Sequence, residues 1–379
     1  MPIRRKITWA GVILLAAAIK VFSYFPSAVE QYYSKGFYPV IARLQRILFG
    51  WVPFSIGDVL YLAVIVLLLY RLVRLIRRLI LREAGDRWWL RVAGQVAFAG
   101  LWIYITFNIL WGLNYDRLGI ADQLQLTVKP YSTTELNALT GIIVRELNDL
   151  DNWSRMHHAD LIHIRSLRGG AIRAYDSLAL DDPQFVYKNP SVKSSLFSYP
   201  GVYMGFAGYY NPFTGEAQVN TEDPLFTQPY TTCHEMGHQL GYAKENEANF
   251  IGFLAARSSP DPAFRYSVYL DLFLYSAREL FVRDSVLAKS FRDSLAPGVL
   301  EDLRELQRFN RKYANPIEPV IWRLYGRYLR ANRQPQGIVT YSEVIAWLIA
   351  YGKKNGREAL KGRSGGPRSP LHPVPGQVF

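Results

Sequence analysis

An α+β fold is predicted, with three N-terminal transmembrane helices followed by a mainly helical domain that carries a small sheet. Three observations lead there. Val92 to Tyr115 holds no Asp, Glu, Lys or Arg over 24 residues, more than the roughly 20 a helix needs to cross a bilayer. From Ser132 onward, apolar residues return at three- and four-residue intervals, the period of a helix with one buried face. Between Phe206 and Glu222 the pattern becomes that of two short strands around Asn211-Pro-Phe-Thr-Gly215.

The first 115 residues read as a membrane anchor, with spans at about 7–25, 51–70 and 92–115. Ile7 to Phe25 has one charge, Lys20, near an end where a long side chain reaches the interface. No small-x-small cleavage site precedes Pro26, so this segment reads as an uncleaved anchor. Trp51 to Tyr70 has one charge, Asp58, beside Gly57; it reads as a helix cap or an interfacial residue. Arg4, Arg5 and Lys6 precede the first span, and seven arginines from Arg71 to Arg91 lie between the second and third. The loop from Pro26 to Gly50 is poorer in cations. Basic flanks stay cytoplasmic, so the N-terminus is expected inside and everything after Tyr115 outside. The expected location is a bacterial inner membrane, multi-pass, with the lipid bilayer as a partner.

That topology accounts for much of the net charge of +13 in 379 residues. The arginines interleave with Leu and Ile beside a span, so nucleic acid is not expected as a partner. Cys233 is the sole cysteine, which excludes an internal disulfide. It is expected to pack.

Residues 116–353 have the composition of a globular domain. Ser132-Thr-Thr-Glu135 signals a helix start, with Leu136, Leu139, Ile142, Ile143 and Leu147 on its apolar face. The Gly169-Gly170 pair opens a looser region through Pro200. Helical patterns resume over Phe264–Ala288, Val299–Ala314, Pro319–Leu329 and Tyr341–Tyr351. The stretch 354–379, rich in Gly and Pro, reads as a disordered tail. His157, His158 and His163 read as structural or exposed. No repeat, phosphate loop or Ser-His-Asp arrangement is present.

The chemistry concentrates at His234-Glu235-Met236-Gly237-His238. Residues four apart on a helix share a face, so His234 and His238 are candidate ligands of one zinc ion. Glu235 is the candidate catalytic base, placed to take a proton from an activated water. An open zinc site needs a third protein ligand. Gly241 gives a helix stop, and a second helical stretch from Asn246 to Ala256 begins where that ligand should lie. Glu245 is the favoured third ligand, with Glu247 in reserve. Glu247 projects about 200° from Glu245 on an ideal helix and is expected at the surface or facing substrate. Asn249, four past Glu245, is placed to hydrogen-bond a ligand histidine. Tyr209, Tyr210 and Tyr230 are candidate oxyanion donors, though each of the 25 tyrosines is a better candidate for packing. Glu216 is expected at the surface or in a structural role.

The run from His234 to Gly241, followed by Glu245-Asn-Glu-Ala-Asn249-Phe, resembles the glutamate-type zincins. In those, Glu-x-x-x-Asp or Glu-x-x-x-Asn follows the histidine pair. More closely, the chain resembles the membrane family numbered 3810 among the domains of unknown function. Val29-Glu-Gln-Tyr-Tyr-Ser, Pro53-Phe-Ser-Ile-Gly-Asp-Val-Leu-Tyr61 and Gly208-Tyr-Tyr-Asn-Pro-Phe-Thr-Gly-Glu-Ala-Gln-Val-Asn220 carry that likeness. The resemblance implies a zincin-like domain and a membrane-anchored zinc peptidase, with no substrate implied. Many zincins insert a long segment between the second histidine and the glutamate, whereas here the gap is short. In zincins the sheet edge before the metal helix holds substrate by strand addition, and the hairpin here immediately precedes that helix.

The expected function is therefore a membrane-anchored zinc metallopeptidase acting on peptides or proteins near the membrane. Two alternatives stand beside it: a zinc amidase acting on a non-peptide substrate, and a non-catalytic scaffold whose structural zinc has a fourth protein ligand. An intramembrane protease is excluded, because Glu222, Asp223, Lys244 and Glu245 closely flank the motif.

Overall fold

Helices form where the sequence is apolar on one face or on all faces, and a single small sheet interrupts them. The computed structural model describes residues 3–81, 87–157, 164–334 and 343–362. The chain divides into two units. One holds residues up to Leu118 together with Asn211–Glu216; the other holds Gly119–Tyr210 and Ala217 onward.

In the first unit, α1 (Ile3–Phe22) is followed by α2 (Pro26–Ala28), a π-helix (Val29–Phe37) and α3 (Tyr38–Phe49). The chain bends by 99° between α1 and this second run, where Pro26 starts a new helix at its first turn. The stretch expected as a loop from Pro26 to Gly50 is thus helical. Next come α4 (Ile56–Ile80) and α5 (Trp88–Leu110), then a 3₁₀ turn at Gly112–Asp116. Two helices, α4 and α5, are long and apolar enough to cross a membrane; a third is present if the bent run counts as one span.

The bounds of the spans differ from expectation for local reasons. Ser55 caps α4 by accepting from the Asp58 amide at 3.0 Å, so the helix starts after Pro53 rather than at Trp51. It runs past Tyr70 because Arg71, Arg74, Arg77 and Arg78 fall towards its C-terminal end, where the helix dipole favours cations. The helix expected as the third span begins at Trp88 and stops at Leu110, because Trp111, with φ −161°, leaves the helix.

The π-helix presents a polar face to the rest of its unit. Glu30 accepts two bonds from Arg117, at 2.7 and 3.0 Å. Tyr33 donates to the Ile109 carbonyl and Ser34 to Asn114 Oδ1. Residues 211–216 bring Glu216 to the start of α4. Its buried carboxylate accepts from the amides of Gly57 (2.6 Å) and Ile56 (3.2 Å) and from Thr214 Oγ1 (2.9 Å). A helix N-terminus favours such a charge, so Glu216 is structural and not a surface residue. Gly57 is required there: a Cβ would lie 2.4 Å from Asn211 Nδ2.

The second unit opens with α6 (Ile120–Gln123), α7 (Thr133–His157) and α8 (Ile164–Asp181). The capping box of α7 forms as the sequence predicts: the Glu135 amide donates to Ser132 Oγ, and Glu135 Oε2 accepts from the Ser132 amide. Leu136, Leu139, Ile142, Ile143 and Leu147 are all buried in the core. Burying each such side chain stabilises by roughly 1.5–3 kcal/mol. α8 runs straight through Gly169-Gly170, where a break was expected. A Cβ at Gly170 would sit 2.2 Å from the Phe264 ring, so glycine here permits close helix packing.

After α8 come β1 (Val192–Ser194), α9 (Ser198–Met204), β2 (Gly208–Asn211) and β3 (Glu216–Val219). The hairpin pattern is borne out. The sheet order is β1-β3-β2, with β1 parallel to β3 and Val192 opposite Ala217. Strand β1 was not expected, and β2 is left at an edge. Then follow α10 (Gln228–Gln239), α11 (Glu245–Ser258), α12 (Pro262–Arg283), α13 (Ser285–Asp293), α14 (Pro297–Tyr313), α15 (Glu318–Ala331) and α16 (Val344–Asn355). Asp284 splits the expected Phe264–Ala288 helix by capping the amides of Val286 and Leu287. A 3₁₀ turn, Arg357–Leu360, buries Ala359 and Leu360. The chain is therefore packed beyond Lys354, where the compositional tail begins. Residues 363–379 of that tail, His158 and His163 lie outside the described residues, as does the side chain of His157.

Candidate metal centre

Helix α10 starts with Pro229 in its first turn and ends at Gly241, whose φ of +86° stops it as the sequence predicts. The Gly241 amide bonds back to the His238 carbonyl at 2.9 Å. A three-residue turn then leads into α11, whose first residue is Glu245. Helix α11 passes close to α10 because Gly252 has no side chain. A Cβ there would lie 3.1 Å from the His234 nitrogen and 3.2 Å from its Cα.

This geometry brings four of the candidate residues together. The His234 and His238 rings are perpendicular, with centroids 4.8 Å apart. Glu245 Oε2 lies 3.3 Å from His234 Nε2 and 3.8 Å from His238 Nε2. Ligand atoms about 2.0–2.1 Å from a tetrahedral zinc are separated by roughly 3.3 Å, so both distances from Glu245 Oε2 are within about half an ångström of what one shared ion requires. The buried group His234, Glu235 and His238, whose donor atoms lie within 4.8 Å of one another, could also hold a metal ion.

Several contacts orient these donors. His238 Nδ1 lies 2.7 Å from the Tyr242 carbonyl. A proton on Nδ1 satisfies that carbonyl and turns Nε2 toward Glu245. Tyr325 on α15 donates to Glu245 Oε1 at 2.5 Å, and the Glu245 amide donates to Gln334 Oε1 at 3.0 Å. Burial would raise the Glu245 carboxyl, but hydrogen bonds from His234 and His238 hold it well below the usual carboxylate range. Burial would lower His238, yet Glu245, Glu235 and the Tyr242 carbonyl push it up to about 9.

Glu235 is buried, and its Oε2 has no hydrogen-bond partner. Burial pushes its carboxyl up to about 7, with Glu245 adding to the rise and both histidines opposing it. A base near neutral pH is well placed for proton transfer. Gly208, the first residue of edge strand β2, lies against it: a Cβ would be 2.9 Å from Glu235 Oε1.

Other candidates fall elsewhere. Glu247 is buried rather than exposed, with Oε1 at 3.5 Å from Lys244 Nζ and close to Gly119. Asn249 does not hold a histidine; its Nδ2 is buried without a partner, and its carbonyl accepts from Tyr230. That bond uses the Tyr230 hydroxyl, and Tyr209 pairs with Ser195 at 2.8 Å. Tyr210 packs in the core as a buried residue. Cys233 packs as expected, fully buried. Sequence reasoning missed Tyr325, Gln334 and Asp271. Nothing local marks them, since the first two reach Glu245 across 80 and 89 residues.

A family model described as "Protein of unknown function (DUF3810)" matches residues 33–349. The chain belongs to the DUF3810 family. The match covers the bent helical run from Tyr33, both long apolar helices and the whole candidate metal site, so these parts occur together in a DUF3810 protein. No curated protein and no solved structure matches the chain.

Proposed function

We propose that this chain is a membrane-anchored, zinc-dependent metallopeptidase whose catalytic domain faces away from the cytoplasm. One observation carries the reading: two imidazoles and a carboxylate converge at 3.3 and 3.8 Å beside a buried, unpartnered Glu235. His234, His238 and Glu245 would hold the metal. When bound, zinc would polarise the scissile carbonyl and acidify water.

The chain's own residues do the rest. Edge strand β2 offers backbone groups for an extended peptide, and Gly208 brings that edge against Glu235. Glu235 takes one proton from the water that adds to the carbonyl carbon. It returns that proton to the amine as the C–N bond breaks, giving a carboxylic acid and an amine, and the acid's own proton then passes to the amine to leave a carboxylate and an ammonium. Tyr325 and Tyr242 hold Glu245 and His238 in place. The scaffold alternative calls for a fourth protein donor; Glu247, held in reserve as a ligand, has its Oε1 at 3.5 Å from Lys244 Nζ.

Metal analysis of the full-length protein in detergent micelles tests the reading. About one zinc per chain is expected, lost in His238→Ala and Glu245→Ala and kept in Glu247→Ala. Glu235→Gln should keep zinc and lose hydrolysis of a peptide mixture; full activity in that variant would sink the mechanism.

A further inference from the structure

A cavity of about 370 Å³ lies in the second unit beside the metal centre. Thr231, which lines it, sits one turn before His234 on α10. Ala207, also in its wall, immediately precedes Gly208, the residue packed against Glu235. Three acids line the cavity, Asp223, Asp271 and Glu318, and no Lys, Arg or His does. Leu270, Leu274 and Phe309 supply apolar wall.

The acids are not consumed by the fold. Asp271 Oδ2 is closed to solvent and has no hydrogen-bond partner. No side chain among the described residues forms a hydrogen bond or ion pair with the carboxyl of Asp223 or Asp271. Burial pushes each of them up to about 7, with Glu222 adding to the rise at Asp223 and His234 opposing it at Asp271. An unpaired carboxylate in an apolar cavity is costly unless a cation joins it. A metal ion does not suit the place: it needs several converging donors. Among the described residues only the His234 cluster provides three that converge.

We propose that this cavity is a specificity pocket for a long cationic side chain, lysine or arginine, of the peptide held at the metal centre. The apolar wall would cover the aliphatic stem while the carboxylates meet the charged tip. The peptide part of this inference rests on the peptidase reading; the cation part does not.

Two arms separate them, both on the full-length protein in detergent at pH 8. Calorimetric titration with agmatine, with 1-pentanol as the uncharged control, reads the pocket alone. Agmatine should bind the wild type, at least tenfold more weakly after Asp223→Asn or Asp271→Asn, and pentanol should show no such dependence. Circular dichroism checks folding, and Glu318→Gln serves as a third variant at the cavity wall. Cleavage-site profiling of a proteome-derived peptide mixture by mass spectrometry reads the peptidase. Cleavages should fall at a fixed position relative to Lys or Arg, with that enrichment reduced at least tenfold in the aspartate variants. Equal agmatine binding in all proteins, or cleavage without basic preference, overturns the pocket. Aspartate-dependent agmatine binding without any cleavage supports the pocket and overturns the peptidase reading.

Discussion

Replacing Asp223 by asparagine should make the protein more stable at pH 8 and leave it nearly unchanged at pH 4. The folded chain holds this carboxyl up to about 7, whereas an unfolded aspartate titrates near 3.9. Between those values the unfolded state has released its proton and the folded state has not. Stability of the wild type therefore falls as pH rises from about 4 to about 7 and stays at the lower level above that. At roughly 1.4 kcal/mol per pH unit the difference approaches 4 kcal/mol. Part of the side chain is reached by water, which screens its charge, so about 2 kcal/mol is the better expectation.

Asparagine has the same shape and no titration. At pH 4 it replaces an acid protonated in the folded state and still about half protonated in the unfolded one, and one that likewise has no hydrogen-bond partner, so the difference should stay within about 0.5 kcal/mol. At pH 8 it removes the ionisation penalty. In a unit of this size, about 2 kcal/mol moves the melting temperature by roughly 4–8 °C. Thermal melts of both full-length proteins in the same detergent, at half-unit steps from pH 4 to 8, read the effect as a difference between two curves. Curves that remain parallel across the range would refute the reasoning. A functional carboxylate retained at a cost in stability is what a binding pocket requires, so the variant that melts higher should also be the one that loses agmatine.

Three further outcomes follow from particular contacts. Gly252→Ala puts a Cβ 3.1 Å from the His234 nitrogen; a loss of about 1–3 kcal/mol is expected from overpacking, with weaker zinc retention, seen in melts and metal titration. Tyr325→Phe removes the donor to Glu245 Oε1 and should weaken zinc binding about 10–100-fold with the far-ultraviolet dichroism unchanged. Glu216→Gln turns one acceptor oxygen into a donor against the amides of Ile56 and Gly57; the first unit should lose about 1–3 kcal/mol, while zinc content stays constant.

What the sequence made legible at the site is what neighbouring residues determine. His234, Glu235, His238 and Glu245 lie within twelve consecutive residues. One helical turn, one left-handed glycine and one helix start suffice to converge them, and each has a local signature. The residues that tune the site have none. Tyr325 and Gln334 reach Glu245 through the packing of distant segments, and Asp271 lies on the second helix after the motif. The fold shows the same division. The α7 capping box and the 211–215 turn were readable, because their partners are three or four residues away. Gly169-Gly170 was misread as a break, since glycine disfavours a helix by about 1 kcal/mol, and the contact that outweighs this, with Phe264, is invisible from the local sequence. Strand β1 is three residues long and owes its existence to β3. The bent run after Pro26 was taken for a loop because its partners, Ile109, Asn114 and Arg117, lie 76 to 87 residues further on, at the end of α5 and just after it. The identity of the candidate ligands is thus a short-range property here, while their orientation and the lining of the neighbouring cavity are long-range ones. On the proposed reading, a second chain with the same His-Glu-x-x-His and Glu245 pattern but without Asp223 and Asp271 should therefore retain zinc and show no preference for a cation.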